Sequence, residues 1–419
     1  MEDRFGNEHA AGLPYARGAI IRSTEDDIAK LQRAGRVIDG IVRARGLEAV
    51  FNFTGLERSL PLTPEELAVA DDEIAPAIYG ERFRTAALAH LGGTPGRHDA
   101  MLFNRLTAAT VATHLTLVKP GETVVGVSPT YSHPTIVRAV ALAGATFVEA
   151  RDQRHLEEVL DSGAAVPLVA LTRLAVSYDL LPDDRIERVI AAAHARGARV
   201  YVDDAGGARV GPAIFQQPKT LEMGADVGAT GLDKYGTVGP RLGLLAGERD
   251  LVSKIRARAF ELGLEARPML YPAAVRSIEN YRPERVRELV ATTKLVGVAL
   301  RDVLGARVHE TPVTAQLRGE DILEMAMERG GVTERTIVPI EATAALAMLL
   351  LEDHGIITVH FAGLPPGTSS MLVKFVVPET LARFGGPAAF AKAVDGALGK
   401  LGGLIHDPAA IRRLLLGDA

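Results

Sequence analysis

Two stretches of this chain decide its architecture: "VYVDDAGG", Val200–Gly207, and "GATGLDKYGTVGPRLGLLAG", Gly228–Gly247. The first reads as an apolar β-strand that ends on two carboxylates, Asp203 and Asp204, before a glycine turn. The second reads as a strand, a glycine-rich loop and another apolar strand, with Lys234 in the loop, 31 positions after Asp203 (234 − 203). A lysine ordinarily keeps its ammonium in water. This one is flanked by small residues and followed by the apolar run "LGLLAG". It is either a solvated loop residue or a lysine held in a cleft for its chemistry.

Working outward, the chain from about Ala87 to Gly247 alternates helix-like and strand-like segments. "NRLTAATVATHLTLV", "YSHPTIVRAVALAG" and "PDDRIERVIAAAHARG" carry helical periodicity, with proline or acidic residues at their starts and glycine at their ends. "TVVGVS", "ATFVEA" and "VPLVALT" are short β-branched runs. Strands without a polar face, separated by helices, predict a mostly parallel sheet covered by helices on both sides. In such sheets ligands bind beyond the C-terminal strand ends. That rule points to the residues after "VVGVS", "LVALT", "VYV" and "GATG".

From about Pro283 the pattern changes to a long helix, "PERVRELVATTKLVGVALRDVLG", followed by mixed segments. Among these "IITVHFA" and "MLVKFVV" read as strands. The resulting expectation is an α/β fold in three parts: an N-terminal arm (1–70) packing on the small domain, a large domain (71–285) and a smaller α+β C-terminal domain (286–419).

The 419 residues are too many for one compact core. Their 47% hydrophobic and 24% charged content is that of a soluble globular protein. The net charge of −5 and the lack of a basic block argue against nucleic acid as a partner. With no cysteine there are no disulfides, thiolate metal sites or cysteine nucleophiles. The acidic N-terminus lacks the apolar core of a signal peptide, and the apolar run Ala342–Leu351 is about half a membrane span. These features predict a cytoplasmic protein that does not bind membranes. The eleven histidines show no paired ligand spacing, which disfavours a metal hydrolase.

Strand, carboxylate, short excursion, lysine: this order resembles the layout of pyridoxal 5'-phosphate (PLP) enzymes of the aspartate-aminotransferase fold class. The chemistry explains the residue types. A lysine amine forms a Schiff base with the cofactor aldehyde, so it must be desolvated enough to lose a proton. A carboxylate facing the pyridine nitrogen keeps that nitrogen protonated, so the ring can accept electrons from the substrate. Lys234 is the expected lysine and base. Asp203 is the expected carboxylate, with Asp204 as the alternative. A helix start supplies backbone N–H groups to a phosphate; Arg105, Leu106 and Thr107 in "FNRLTAAT" suit this, and Thr230 adds a hydroxyl. For the flat group over the ring, "SPTYSHPT" offers His133, with Tyr131 as the alternative.

"FNFTG" (Phe51–Gly55) with the following "LPLTPEE", "VDDAGG", "GLDKYGTVGPRLGLLAG" and "LEARPMLYPAAVRSIENY" together resemble bacterial selenocysteine synthase (L-seryl-tRNA selenium transferase) and its relatives. That group includes D-glucosaminate-6-phosphate ammonia-lyase. The likeness covers roughly residues 50–285. Two departures stand out: one extra residue between Lys234 and Pro240, and Arg241 where the relatives carry Gln. The resemblance implies PLP, a seven-stranded sheet in the large domain, and a homodimer or higher homo-oligomer with shared active sites.

Only about fifty residues precede "FNFTG", and no basic arm is present, which weighs against an aminoacyl-tRNA substrate. The leading expectation is a lyase on a small amino-acid-type substrate, releasing a leaving group from Cβ or Cγ and giving a keto acid and ammonia. An aminotransferase is the alternative, and a selenocysteine-synthase-type transferase is third. A non-catalytic PLP-binding protein would be expected to lack the lysine or the carboxylate. By the same resemblance Arg267 is a candidate cation for the substrate carboxylate, Lys374 is another since the small domain often supplies this residue in the fold class, and Arg84 is a substrate-binding candidate that could reach a partner's site.

Overall fold

A computed structural model describes residues 2–60 and 62–417. Pro61, inside the quoted "LPLTPEE", and the chain ends Met1, Asp418 and Ala419 lie outside the described residues. The chain divides into two compact units, residues 57–287 and residues 1–56 together with 288–419.

The larger unit is built on one seven-stranded sheet. Its strands are β1 (His98–Phe103), β2 (Thr123–Val127), β3 (Thr146–Glu149), β4 (Leu168–Thr172), β5 (Arg199–Asp203), β6 (Val227–Gly231) and β7 (Gly243–Glu248). Their order across the sheet is β1-β7-β6-β5-β4-β2-β3. β7 is antiparallel to both its neighbours, and the other pairings are parallel. All strands except β7 therefore run the same way and end at one edge.

Successive strand residues point to opposite faces, and both faces are dry. Val124, Leu168, Ala170, Tyr201 and Val227 join one core with Ala109, Ile136 and Val252, from the helices Leu106–Leu117, Pro134–Leu142 and Arg249–Leu262. Val125, Val169, Leu171, Val200 and Val202 join another with Leu156, Ile186 and Val189, from Gln153–Leu160 and Asp183–Ala195. This two-sided burial is why the strands read as continuous apolar runs rather than alternating ones. Each fully buried aliphatic side chain contributes roughly 1.5–3 kcal/mol.

β1 and the helix Gly207–Phe215 were not visible in the sequence pattern. "HDAMLF" carries a polar start that hides a buried strand, and a glycine-opened helix with an internal proline breaks propensity rules.

In the smaller unit, Thr314–Leu317 is the central strand of a three-stranded antiparallel sheet between Val308–Glu310 and Met371–Lys374. The "IITVHFA" segment gives only a two-residue strand, Ile356–Ile357, which pairs in parallel with Phe51–Asn52; a 3-10 turn follows at Val359–Phe361. The partner segment runs on into the Thr54–Gly55 turn, so no ladder remains for a longer strand. The helix Thr24–Arg45 starts at Ser23, whose hydroxyl accepts from the Glu25 and Asp26 N–H groups. Buried Glu341 accepts from the Ile20 and Ile21 N–H groups at 2.6 and 2.8 Å, which ties the N-terminal segment to the helix Pro339–His354. Among the described residues no helix is long and apolar enough to cross a membrane.

Asp226 fixes the start of β5 and β6. Its buried carboxylate accepts from the Val200 N–H at 2.7 Å and Arg199 Nη1 at 2.6 Å, and His194 Nε2 lies 2.8 Å away. Asp226→Ala strands a buried N–H and removes the ion pair. It is expected to cost about 3 kcal/mol in urea unfolding.

Candidate active site

The common strand edge collects the residues of interest. Thr172, Asp203 and Ala229 lie side by side on β4, β5 and β6, and Phe103, Gly243 and Gly231 lie side by side on β1, β7 and β6.

The two adjacent carboxylates of "VDDAGG" have different surroundings. Asp204 is fully buried and saturated: Arg173 Nε donates to its Oδ1 at 3.0 Å, Arg173 Nη2 donates to Oδ2, and the Thr220 hydroxyl adds 2.7 Å to Oδ2. Asp203 is also buried, but its Oδ1 has no partner among the described residues. Burial raises its carboxyl to about 7, the Asp204 charge adds to the rise, and Lys234 opposes it. Asp203 therefore carries an unmet acceptor at the strand edge, whereas Asp204 is a structural counter-ion. The Thr172 hydroxyl, on the neighbouring strand, is a second buried orphan.

Lys234 follows β6 in a tight loop. The Thr237 hydroxyl donates to Leu232 O at 2.9 Å and also to Lys234 O, and Gly236 holds φ +84°, open to glycine and strained for other residues. The outer side of the loop is pinned by residues 57–59. Gly239 N–H donates to Glu57 O at 3.2 Å, and Ser59 N–H donates to Gly239 O at 3.1 Å. A Cβ on Gly206 would lie 2.3 Å from Tyr235 Cε2, so this glycine makes room for the residue after Lys234.

The half-buried Lys234 has an amine pulled below its usual range, first by burial. Arg58 and Arg241 push it further down, against Asp233 and Asp203. Asp233 is buried and accepts from Arg58 Nε at 2.8 Å. Burial raises its carboxyl, but Lys234 and Arg58 outweigh that and hold it below the carboxylate range. The Arg241 guanidinium is drawn down to about 10 by partial desolvation, then by Arg105 and Arg58. Neither the Arg105 nor the Arg241 guanidinium has a hydrogen-bond or ion-pair partner among the described residues.

Arg105 stands at the N-cap of the helix Leu106–Leu117. A Cβ on Gly243 would lie 2.7–2.8 Å from Arg105 O and C and Leu106 N, so β7 starts against that helix end. Arg241 is two residues before Gly243. His133 caps the helix Pro134–Leu142, its Nδ1 accepting from Thr135 N–H at 3.1 Å. Burial, then Lys234 and Arg138, push it down to about 4, so it is neutral. The buried Thr230 hydroxyl accepts from Arg209 Nη1 at 2.8 Å and donates to Ala205 O at 2.9 Å.

Lys234 thus acts on both Asp203 and the neutral His133, and Arg105, Leu106 and Arg241 stand at one helix start. The candidate substrate cations have their own surroundings. Arg267 is 72% exposed and paired with Asp72, and Arg84 pairs with Glu81 on the surface. Lys374 belongs to the smaller unit, buried on its strand opposite Thr314. Sequence reading missed Arg58 and Asp233. Asp233 adjoins Lys234 and was a readable signal; Arg58, 176 positions earlier (234 − 58), gave none.

A mostly parallel sheet with an orphaned carboxylate and a depressed lysine on adjoining strand ends defines a PLP-dependent enzyme of the aspartate-aminotransferase fold. Structural comparison agrees. The SepCysS–SepCysE N-terminal domain complex matches with a TM-score of 0.58 at 15% identity, over 86% of this chain and 99% of the other. Pyridoxamine-pyruvate aminotransferase from Mesorhizobium loti matches at 0.56 and 16%, over 86% and 96%. The chain belongs to the UPF0425 family of pyridoxal phosphate-dependent proteins. The member from Methanothermobacter thermautotrophicus is 31% identical over 402 residues, 95% of this chain and 100% of the relative. No family model matches the chain. The family name gives pyridoxal phosphate as the cofactor of its members.

The split between the two aspartates has measurable consequences. Asp204→Ala leaves Arg173 buried without its counter-ion and is expected to cost about 3–5 kcal/mol in urea unfolding. Asp203→Asn should fold. In the cofactor-free protein Asp203 is protonated below about 7 when folded, whereas an unfolded aspartate ionises near 3.8. The folded state therefore binds the extra proton, and stability falls as pH rises from about 4 to about 7. Asp203→Asn should remove that fall, read from urea midpoints across pH.

Proposed function

We propose that the protein is a PLP-dependent lyase acting on a small amino-acid-type substrate, releasing a group from Cβ or Cγ to give a keto acid and ammonia. The observation that carries the reading is Lys234, an amine disfavoured as ammonium, beside Asp203, a buried carboxylate with an unmet acceptor. The residues fit the cofactor at both ends. Asp203 Oδ1 would accept from a protonated pyridine nitrogen. The Leu106 and Thr107 N–H groups, with the Arg105 and Arg241 guanidiniums, would hold the phosphate at a helix start. Arg241 then serves the cofactor rather than substrate choice. Neutral His133 supplies a flat face without a competing charge.

Bound here, PLP supplies an aldehyde that captures an amine and a ring that accepts the electron pair left at the substrate Cα. Lys234 would hold the cofactor through its amine, and the same amine, once free, would take the substrate Cα proton. Arg58 and Arg241 favour its neutral form, against Asp233, which favours the ammonium. Arg267, Lys374 and Arg84 remain the proposed cations for the substrate carboxylate. The exposure of Arg267 suits a role across a homodimer, and the exposed Leu67, Ile74, Ile78 and Met269 of the same unit suit the surface it would need.

Purified protein should be yellow, and borohydride should fix the cofactor to the Lys234 peptide. Lys234→Ala should lose that adduct and about 10²–10⁴-fold in turnover. Across an amino-acid panel, keto acid and free ammonia should appear together without an added acceptor. Keto acid formed without ammonia, and only with an added amino acceptor, makes the enzyme an aminotransferase and overturns the lyase reading. Arg241→Gln should weaken cofactor retention by about tenfold or more, measured by dialysis against absorbance.

A further inference from the structure

Two arginines in the larger unit, Arg173 and Arg209, are fully buried. Arg173 is neutralised by Asp204 and also donates to Pro218 O at 2.6 Å. Arg209, on the helix Gly207–Phe215, makes one hydrogen bond, through Nη1 to the Thr230 hydroxyl at 2.8 Å. Its Nε and Nη2 are buried and have no partner among the described residues. The carboxylates that act on it, Asp233 and Asp204, are already committed to Arg58 and Arg173.

A second orphan lies within electrostatic reach of Arg209. His90 Nε2, on the helix Ile74–Leu91, is buried without a partner. The ring meets Tyr281 edge-on at 4.8 Å. His90 is held far below its usual range by burial, then by Arg209 and Lys219, so it is neutral and able to donate from one ring nitrogen. Lys219, a second cation acting on His90, bonds Ala89 O through Nζ at 2.7 Å. A buried guanidinium without a counter-charge is among the costliest features a fold can hold. Water could meet its N–H groups but would not neutralise it.

We propose that Arg209 Nε and Nη2 and His90 Nε2 bind a small monovalent inorganic anion of the chloride type, which serves as the missing counter-ion. The site is joined to the proposed cofactor cleft. Arg209 holds the Thr230 hydroxyl, which donates to Ala205 O, two residues after Asp203. The proposal does not depend on which reaction the enzyme catalyses.

The test uses the full chain with PLP bound. Crystals grown in sodium bromide should show an anomalous peak within hydrogen-bond distance of Arg209 Nε or Nη2 and of His90 Nε2. In solution, 0.15 M chloride or bromide, on the order of physiological ionic strength, should raise the thermal midpoint above that in gluconate by at least about 1 °C. Arg209→Met should abolish this difference, and if that variant fails to fold, His90→Phe should reduce it. Water density without an anomalous signal overturns the proposal. So does a peak without a thermal shift, which marks binding at crystal concentration only.

Discussion

The ion pair between Arg173 and Asp204 is the constraint on which the strand edge depends. It locks the end of β5 to the loop after β4 in the dry interior, with Thr220 closing the remaining acceptor. Because Asp204 is consumed in this way, the neighbouring Asp203 is left with an unmet oxygen. Two chemically identical side chains, one position apart, thus acquire opposite characters. The difference comes from their partners.

The Lys234 loop is governed by charge balance rather than by packing alone. Burial does most to disfavour the Lys234 ammonium; Asp233 attracts it, while Arg58 and Arg241 repel it. Arg58 is held in turn by Asp233 at 2.8 Å. The loop's backbone is closed by Thr237 and by the pairing of residues 57–59 with Gly239. The segment before the first sheet strand therefore helps to set the electrostatics of a loop far along the chain.

Much of the fold was legible because burial on both faces of a sheet leaves a plain trace. β2, β4, β5 and β6 are short β-branched runs bounded by turn residues, and the helices between them carry caps and stop signals. β1 was not legible, because an edge strand that opens on His98 and Asp99 looks like a loop until β7 pairs with it. Lys234 and the aspartate pair were visible as a strand-end pattern. The surroundings of the proposed substrate cations were not. Arg84 and Arg267 lie in plausible motifs, yet each has a nearby carboxylate that sequence cannot place in space.

By itself, the sequence determined the parallel sheet, the strand-end carboxylates and the lysine that follows them, since these depend on local periodicity and spacing. Tertiary structure alone decided which aspartate is neutralised, which arginines press on Lys234, and that Arg241 and Arg105 meet at one helix start. It also revealed that Arg209 is buried without a counter-charge. Those outcomes rest on contacts between residues as many as 176 positions apart (234 − 58), and electrostatic energy follows distance in space rather than distance along the chain.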